Sequence, residues 1–467
     1  MGRASKRERT HRLTRPSALV FLAALLLGTA GCKTFSDNTR ATRTALDAND
    51  FEKALAASNR ALGVKQPGAL PESLKDNDAL LLLDRAIVLQ ALQQYELSSR
   101  DFQVSDKALE VLDFNRSTAH EIAKYMFSDS VGPYRARPYE KLMLNTMNMI
   151  NYLARQNLEG AKVEARRFSI MRKYLLDHEE ADAEAVQRAG APGSYFAGYA
   201  FEKAGAPGEA LRYYDEVLQA TPAPSLAGPV RALMERSGYR TSRLQSAAAS
   251  AGGSAASGDG SSEVLIVIGY GRVPALAAKR VPIGLALTVA AAFLSVSAVQ
   301  QANRLAAQGL VTWVNYPELL PARAEYPTPL VAIDGTAQAA HVIANVDAVV
   351  QQAWAESKGR VMAAAVTRML TRAAVGAGVG VAAGKASGKG GVGVLASMIA
   401  QASMAAADKP DTRSWATLPA RIAIVRARLL PGKHNIEVTV LGQRHVVETT
   451  VGPGQWVFLD ISQLSTL

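Results

Sequence analysis

The chain changes character where SAAASAGGSAASGDGSS (residues 246–262) gives way to EVLIVIGYG (residues 263–271). Gly, Ala and Ser dominate the first stretch, and it has no apolar anchor, which is typical of a flexible tether between domains. The second stretch is strand-like. We therefore predict a linker over residues 241–262, which separates a helical domain at 39–240 from an α+β domain at 263–467.

Upstream of the linker, four stretches have the spacing of tetratricopeptide repeats. In that spacing, an aromatic or apolar residue at a turn is followed three, seven and ten positions later by small or apolar residues. Small residues at the third position let two helices approach closely. The four anchors are Phe51, Tyr95, Leu158 and Pro207, and the residues three positions later are Ala54, Ser98, Ala161 and Ala210. We predict an all-α tetratricopeptide-like helical repeat domain with long inserts; a generic bundle of α-hairpins is the alternative.

The concave face of such a repeat array is usually a protein-binding groove. Aromatic and Arg side chains are frequent interface anchors, and they mark the candidate contacts here. These candidates are Tyr134, Arg135, Arg137, Tyr139, Arg166 and Arg167. The alternative for each residue is ordinary, with the tyrosines packed inward and the arginines solvated.

Downstream of the linker, strand-like segments recur. Four of them close the chain, at residues 420–429, 435–441, 444–451 and 455–461, and Gly- and Pro-containing turns punctuate them. This pattern predicts an antiparallel meander. With further strands at 311–316 and 329–334, we predict an α+β domain, a small sandwich or barrel with antiparallel strands. Helices at about 346–375 and 391–407 predict a helical, Gly-rich insertion over 346–407.

Two stretches of this domain are open to more than one interpretation. VPIGLALTVAAAFLSVSAVQQAN (residues 281–303) has no charge and is long enough to span a membrane, yet its moderate hydrophobicity favours a buried or amphipathic helix. Residues 373–394 carry eight glycines and resemble a glycine zipper. Lys385 and Lys389 argue against full membrane insertion of that run, and a flexible loop is equally compatible.

The first 32 residues have the build of a secretory signal. Residues 3–15 are basic, an apolar run of ten follows at 18–27, and Thr29-Ala30-Gly31-Cys32 comes next. This ending resembles the bacterial lipobox, although Thr29 stands where Leu is usual, and Cys32 is the only cysteine. We predict a lipoprotein signal peptide at 1–31, lipid on Cys32, and a tether at 32–38. The alternative is an ordinary secreted protein with a chance cysteine.

The sharpest local motif is Asp411-Thr412-Arg413-Ser414-Trp415. A structural role has Asp411 capping a turn and pairing with Arg413, while Trp415 anchors the loop in the core. The functional alternative is a ligand cleft that holds Arg413 and Trp415.

With the order of its domains, the chain resembles a little-characterised family of bacterial envelope lipoproteins. These proteins pair helical repeats with a C-terminal domain that carries such a segment just before its final strands. The resemblance covers most of the mature chain and gives the segment no chemistry. Some relatives are encoded beside lipoproteins that activate penicillin-binding proteins, so the resemblance implies a role in cell-envelope or peptidoglycan assembly.

Net charge and the few Cys and His residues exclude further classes of function. Residues 1–31 hold six basic residues and one acid, so their removal lowers the net charge from +11 to +6, which does not indicate a nucleic-acid partner. One cysteine excludes a multi-cysteine metal site, and His434 and His445, even if they are neighbours across the last hairpin, make a weak one. No recognisable acid/base pair or nucleophile motif is present. We therefore expect no metal, no cofactor other than covalent lipid, and no enzymatic activity.

The resulting prediction is a lipid-anchored scaffold that binds a protein partner on the periplasmic side of the bacterial outer membrane. Lys33, rather than an Asp at this position, is the observation that favours the outer membrane. A second hypothesis is a membrane-active or secretion component that inserts residues 281–303 and 373–407 as a helical hairpin. A third class, a cell-wall hydrolase or transferase, lacks a motif to support it.

Overall fold

The structure of the protein is a computed structural model that describes residues 33–75, 77–114, 134–177, 182–251, 262–307, 313–323, 325–387 and 408–466. The predicted signal peptide, Cys32 and the helix expected at 391–407 lie outside these residues. The described residues form a helical half followed by an α+β half, as the composition predicts.

The helical half is a series of antiparallel helix pairs. Its helices are α1 (Phe35–Asn38), α2 (Arg40–Asp47), α3 (Phe51–Ala61), α4 (Asp78–Ala91), α5 (Tyr95–Phe114), α6 (Pro138–Ala154), α7 (Leu158–Asp177), α8 (Ala183–Lys203), α9 (Pro207–Ala220), α10 (Ala227–Arg236) and α11 (Ser242–Ala249). Helix α2 packs on α3, α4 on α5, α6 on α7, α8 on α9, and α10 on α11. Short connections between neighbours force each of these pairs into a hairpin.

The repeat spacing marks the second helix of four hairpins. Each predicted anchor is the first residue of α3, α5, α7 or α9, and the small residue three positions later is completely buried in all four. The residue two positions before each anchor has a positive φ, at Asn49, Gln93, Gln156 and Gly205. One left-handed turn residue therefore reverses the chain in every hairpin, which is the same local solution repeated four times.

The helical half extends further into the linker than composition suggests. Ser242–Ala249 is a helix, capped at its start by Thr241 and held down by the fully buried Leu244. A single buried leucine supplies the apolar anchor in a segment otherwise rich in Ala and Ser. The Gly-rich residues 252–261 lie outside the described ranges.

The described residues of the α+β half form ten strands. They are β1 (Ser262–Tyr270), β2 (Leu276–Pro282), β3 (Trp313–Leu319), β4 (Leu330–Ile333), β5 (Thr336–Gln338), β6 (His341–Asn345), β7 (Arg421–Leu429), β8 (Gly432–Val440), β9 (Gln443–Val451) and β10 (Trp456–Gln463). One sheet has the order β10-β1-β7-β6 and a second has the order β5-β4-β8-β9. Alternate apolar residues from both sheets, such as Ile266 and Val438, share one core, so the predicted sandwich is observed.

Strand β1 is buried on both faces. Val264, Ile266 and Ile268 point into the sandwich, whereas Leu265 and Val267 belong to a core that also contains the helical half. Two-sided burial explains why this strand is an almost continuous apolar run. The two halves consequently share one hydrophobic core.

The predicted antiparallel meander is wrong in its pairing. Of the four strands that close the described chain, only β8 and β9 pair as a hairpin, through Leu441 and Gly442, which both have positive φ. Such a pair of residues makes the two-residue turn that matches strand twist. The connections from β7 to β8 and from β9 to β10 contain Pro431 and Pro453, which lack the backbone N–H that a continuing ladder of hydrogen bonds needs. There the chain crosses between sheets, so β7 lies beside β1 and β6, and β10 runs parallel to β1.

Residues 281–303 do not form one helix. Val281 and Pro282 end β2, and the chain continues as α12 (Ile283–Ala290), a short 3-10 turn at Ala291–Phe293, and α13 (Val296–Ala307). These elements pack with the β2–β3 ribbon on the long helix α14 (Val346–Ser387). In the part of the chain that the structure describes, no helix combines the length and apolarity needed to cross a bilayer.

Candidate functional site

The segment Asp411–Trp415 lies between the helical half and the sandwich without regular secondary structure. Thr412, Arg413, Ser414 and Trp415 are all buried, although three of them are polar. Buried polar groups need hydrogen-bond partners, and most of the partners come from other parts of the chain. We call this segment together with its partners the junction.

Asp411 and Arg413 form the predicted pair. The Arg413 guanidinium donates Nε to Oδ1 at 2.8 Å and Nη2 to Oδ2 at 2.6 Å, and the Arg413 backbone N–H donates to Oδ1 at 3.0 Å. This bidentate arrangement fixes the turn. The guanidinium also lies 5.8 Å from the centre of the Tyr134 ring, which links the turn to the helical half.

Trp415 is almost completely buried and contacts two helices of the helical half. Its ring meets the ring of Phe102 on α5 edge to face, with the centroids 6.0 Å apart. Its backbone N–H donates to Oε1 of Glu140 on α6 at 3.0 Å. The indole N–H has no hydrogen-bond partner among the described residues, so the ring contributes apolar packing.

Glu140 connects the start of α6 to the junction. Its Oε2 accepts hydrogen bonds from the Tyr134 hydroxyl and, at 2.8 Å, from the Arg137 backbone N–H. The Arg137 guanidinium lies 3.5 Å from Oε1. Burial raises the pKa of Tyr134 and of Tyr139, with the nearby Glu140 charge adding to the effect, so both hydroxyls act as hydrogen-bond donors.

Two further side-chain contacts attach the segment, and the residues just after it, to the helical half. The Thr412 hydroxyl accepts from the backbone N–H of Ser36 on α1 at 3.0 Å. The Thr417 hydroxyl donates to Oδ1 of Asp84 on α4 at 2.8 Å. The junction therefore joins α1, α4, α5 and α6 to the loop before β7.

The predicted partner-binding residues separate into two groups. Tyr134 and Arg137 contact Arg413 in the junction, and Tyr139 is buried beside them with its hydroxyl 3.4 Å from Glu140. Arg135 is exposed in the loop before α6. Arg166 and Arg167 are exposed on α7, away from the junction.

A second joint between the halves is a group of ion pairs. Arg426 of β7 forms ion pairs with Glu202 of α8 and, at 3.0 Å, with Glu263 of β1. Lys203 closes the group at 2.8 Å from Glu263. Both cations lie over the ring of Tyr199, at 5.2 and 4.9 Å from its centre. The two cations, chiefly Arg426, lower the pKa of Glu202 to about 2, so this carboxylate stays charged.

A third joint ties both termini of the described chain together. Arg272, which follows β1, donates to the backbone oxygen of Arg43 and to Asp47 of α2, both at 2.7 Å. The same Asp47 oxygen accepts from the backbone N–H and hydroxyl of Thr466. Burial lowers the pKa of Arg272, and the charge and hydrogen bond of Asp47 act against that effect.

Sequence reasoning missed the charged partners of these joints, namely Glu140, Asp84, Arg426, Glu202, Arg272 and Asp47. No local motif surrounds any of them. The one signal was their position on otherwise apolar faces, as with Asp84 inside the run ALLLLDRAIVL (residues 79–89).

The two histidines do not form a metal site. In the β8–β9 register His434 faces Thr449 and His445 faces Val438, so the rings are several residues apart along the hairpin. His434 instead lies 2.6 Å from Asp334, whose hydrogen bond raises the pKa of the imidazole. The described residues contain no cluster of three or more metal-ligating side chains.

The junction makes stability depend on pH through Asp84. Burial raises the pKa of this carboxyl from 3.8 to about 7, against the hydrogen bond from Thr417. The folded chain therefore holds a proton that the unfolded chain releases, and stability falls as pH rises from about 4 to 7. In Asp84→Asn the amide oxygen still accepts from Thr417 but the side chain does not titrate. We expect this variant to lack the part of the pH-dependent fall in unfolding free energy that Asp84 causes, on the order of a few kcal/mol.

The measurement is the urea unfolding midpoint of both proteins from pH 5 to pH 8. Burial also raises the pKa of Asp460 on β10 to about 7. The same comparison of pH profiles with Asp460→Asn therefore tests this second buried carboxyl independently. Parallel pH profiles for wild type and Asp84→Asn would show that Asp84 is ionised in the folded protein.

Comparison with known proteins adds little. The chain matches no protein-family model, and no curated protein is similar to it in sequence. Among solved structures, it aligns with the Rap conjugation gene regulator of the plasmid pLS20 in complex with the Phr* peptide, over 86% of this chain and 82% of that one. The identity is 10% and the TM-score 0.26, values at which the similarity carries no argument about fold or function.

Proposed function

We propose that the protein is a non-enzymatic, lipid-anchored scaffold of the bacterial envelope, in which the helical half binds a protein partner. The anchor is lipid on Cys32, at the end of the signal-like segment, on the periplasmic side of the outer membrane. Confinement to a surface raises the effective concentration of the scaffold near its partner. The implied process is cell-envelope or peptidoglycan assembly, which rests on the family resemblance.

The observation that carries the partner-binding role is the outer face of α7. Val163, Arg166, Arg167 and Ile170 recur at helical spacing and all are exposed, Ile170 by 70%. Arg166 lies 5.8 Å from the Phe201 ring, and Arg167 pairs with Asp106 at 3.1 Å, so both side chains are held over the helix surface. Apolar side chains beside held guanidinium groups are typical of protein interfaces.

The polar side chains of the junction contact one another, which supports a structural role for the junction. Tyr134, Arg137 and Glu140, which the sequence offered in part as partner contacts, are engaged with one another and with Arg413 and Trp415. The chain's own segment thus occupies this part of the helical half. A partner then binds the outer face of α7 rather than the junction.

The test is a photo-crosslinking amino acid in place of Ile170 in cells. We expect an adduct with a cell-wall synthase or its activator, and its loss when Arg166→Glu and Arg167→Glu are added. The matched control places the same crosslinker at Leu330, which is 74% exposed on the sandwich. Identical adducts at both positions, or an adduct at Ile170 that survives the charge reversal, would contradict the proposal. Labelled palmitate on wild type and Cys32→Ala tests the anchor separately.

A further inference from the structure

Residues 283–296, which form α12, the 3-10 turn and the start of α13, expose large apolar side chains, and we call them together with Trp313 the elbow. Leu285, Phe293, Val296 and Trp313 are 56%, 50%, 74% and 51% exposed. No charged residue occurs between Val281 and Asn303. Large exposed apolar residues are unremarkable singly, but a continuous chain segment that carries three of them and no charge is unusual for a surface in water.

The inner side of the elbow is apolar as well. Ile283, Ala286, Leu287 and Ala290 of α12 pack into a core with Met362 and Val366 of α14. A helix that is hydrophobic all round is ordinarily buried or in contact with lipid. The opposite side of α12, with Gly284, Leu285 and Thr288, is exposed, and no residue that the structure describes covers it.

The structure holds the elbow in place, so its apolar side chains are presented as a surface. Trp313 pairs with Pro282 in the β2–β3 ribbon, next to the start of α12. The Phe293 ring packs on Gly359 of α14, where an added Cβ would lie 2.3 Å from it. Gly359 is therefore a close-approach position that fits the turn onto the long helix.

Exposed cations flank the elbow along the chain and on α14, whereas the neighbouring acid of β3 forms ion pairs. Arg280 precedes the elbow on β2, Arg304 lies in the last turn of α13, and Arg360 follows Gly359 on α14, all exposed. The neighbouring Glu318 forms ion pairs with Lys279 at 3.1 Å and Lys358 at 3.7 Å. An apolar patch with a Trp at its edge and a cationic border fits a membrane interface that contains anionic headgroups.

The position of α1, which begins three residues after Cys32, agrees with this orientation. Helix α1 lies against β2, and β2 leads directly into the elbow. The strand is 7 residues long, which corresponds to about 20 Å. This one argument rests on the proposed anchor at Cys32, because an acyl chain there brings the elbow within reach of the same lipid surface.

We propose that the elbow lies in the membrane interface as a second, non-spanning contact, with Leu285, Phe293, Val296 and Trp313 among the acyl chains. The break between α12 and α13 places two short helices along the surface instead of one across it. The contact orients the scaffold relative to the membrane.

The test uses the mature full chain with Cys32→Ala, which carries no lipid, in vesicle flotation. We expect binding to vesicles of phosphatidylethanolamine and phosphatidylglycerol, and weaker binding to phosphatidylcholine alone. Leu285→Ser with Val296→Ser is expected to reduce partitioning at least tenfold. The matched control, Leu330→Ser with Leu430→Ser, removes two residues of 74% and 80% exposure from the sandwich and should leave partitioning unchanged.

A second readout follows Trp313 itself. Brominated lipids should quench part of the tryptophan emission, and Trp313→Phe should remove most of that quenching, since Trp415 is buried and Trp354 and Trp456 are less exposed than Trp313. Absence of flotation, equal losses in the control pair, or a self-association that depends on Leu285 and Val296 would overturn the proposal, the last by assigning the patch to a second copy. Palmitate labelling distinguishes the two ideas, because an unlabelled chain that still floats refutes the anchor alone.

Discussion

Trp415→Ala is expected to lower the free energy of unfolding by about 3–5 kcal/mol, the usual cost of deleting a buried aromatic side chain. Trp415, in the loop before β7, is almost completely buried against Phe102, inside the core that both halves share. The deletion leaves a cavity at the interface, so both halves lose stability together. The measurement is the unfolding free energy from urea titration, monitored by circular dichroism.

Trp415→Phe is the matched control for this prediction. The indole N–H has no partner among the described residues, so phenylalanine loses packing volume and no hydrogen bond. We expect a cost of roughly 1–2 kcal/mol. Equal costs for the two variants would mean that the indole N–H, rather than the ring, is what the junction uses.

Asp101→Ala is expected to cost about 3–5 kcal/mol for a different reason, because it leaves a buried cation without its counter-ion. The side chains of Arg85 and Asp101 are both completely buried between α4 and α5. The guanidinium donates to the carboxylate at 2.6 and 3.0 Å, and its remaining bonds go to Asn59 at 2.9 Å and the Ala69 oxygen at 2.7 Å. Those neutral acceptors do not replace the lost charge.

The control is an ion pair of the same kind on the surface. Lys173 and Asp177 lie 2.5 Å apart on α7, with both side chains more than half exposed. Asp177→Ala should change the unfolding free energy by less than about 1 kcal/mol. If the two alanine variants had similar unfolding midpoints in urea, burial of the Arg85–Asp101 pair would not be what makes it matter.

The helical half could be predicted closely because its information is local. An anchor such as Tyr95, with Ser98 and Phe102 at helical spacing, describes one face of one helix, and that face is the one that packs. The α+β half was predictable in its strands but not in their partners. Strand β10 reads like the fourth strand of a meander and nevertheless lies parallel to β1, because Pro453 interrupts the hairpin that neighbours in sequence would form.

The candidate site was likewise predictable where its contacts are local in sequence and unpredictable where they are distant. Asp411 and Arg413 are two residues apart, so their ion pair was visible in the sequence. The partners of Trp415 were not, since Phe102 and Glu140 are hundreds of residues away and carry no motif. Tyr134 and Tyr139 looked like interface anchors because their residue type suits an interface; the structure places them at an interface within the chain.

The sequence by itself determined the helix hairpins, the strands and the apolar character of residues 281–303, because each depends on the periodicity of neighbouring residues. The tertiary structure alone decided the sheet order, the joining of the two halves, and the exposure of the elbow. These depend on which faces find a partner once the chain has collapsed. Strand β1 packs against other residues on both faces, whereas α12 packs on one side only. No local sequence pattern distinguishes these two apolar segments.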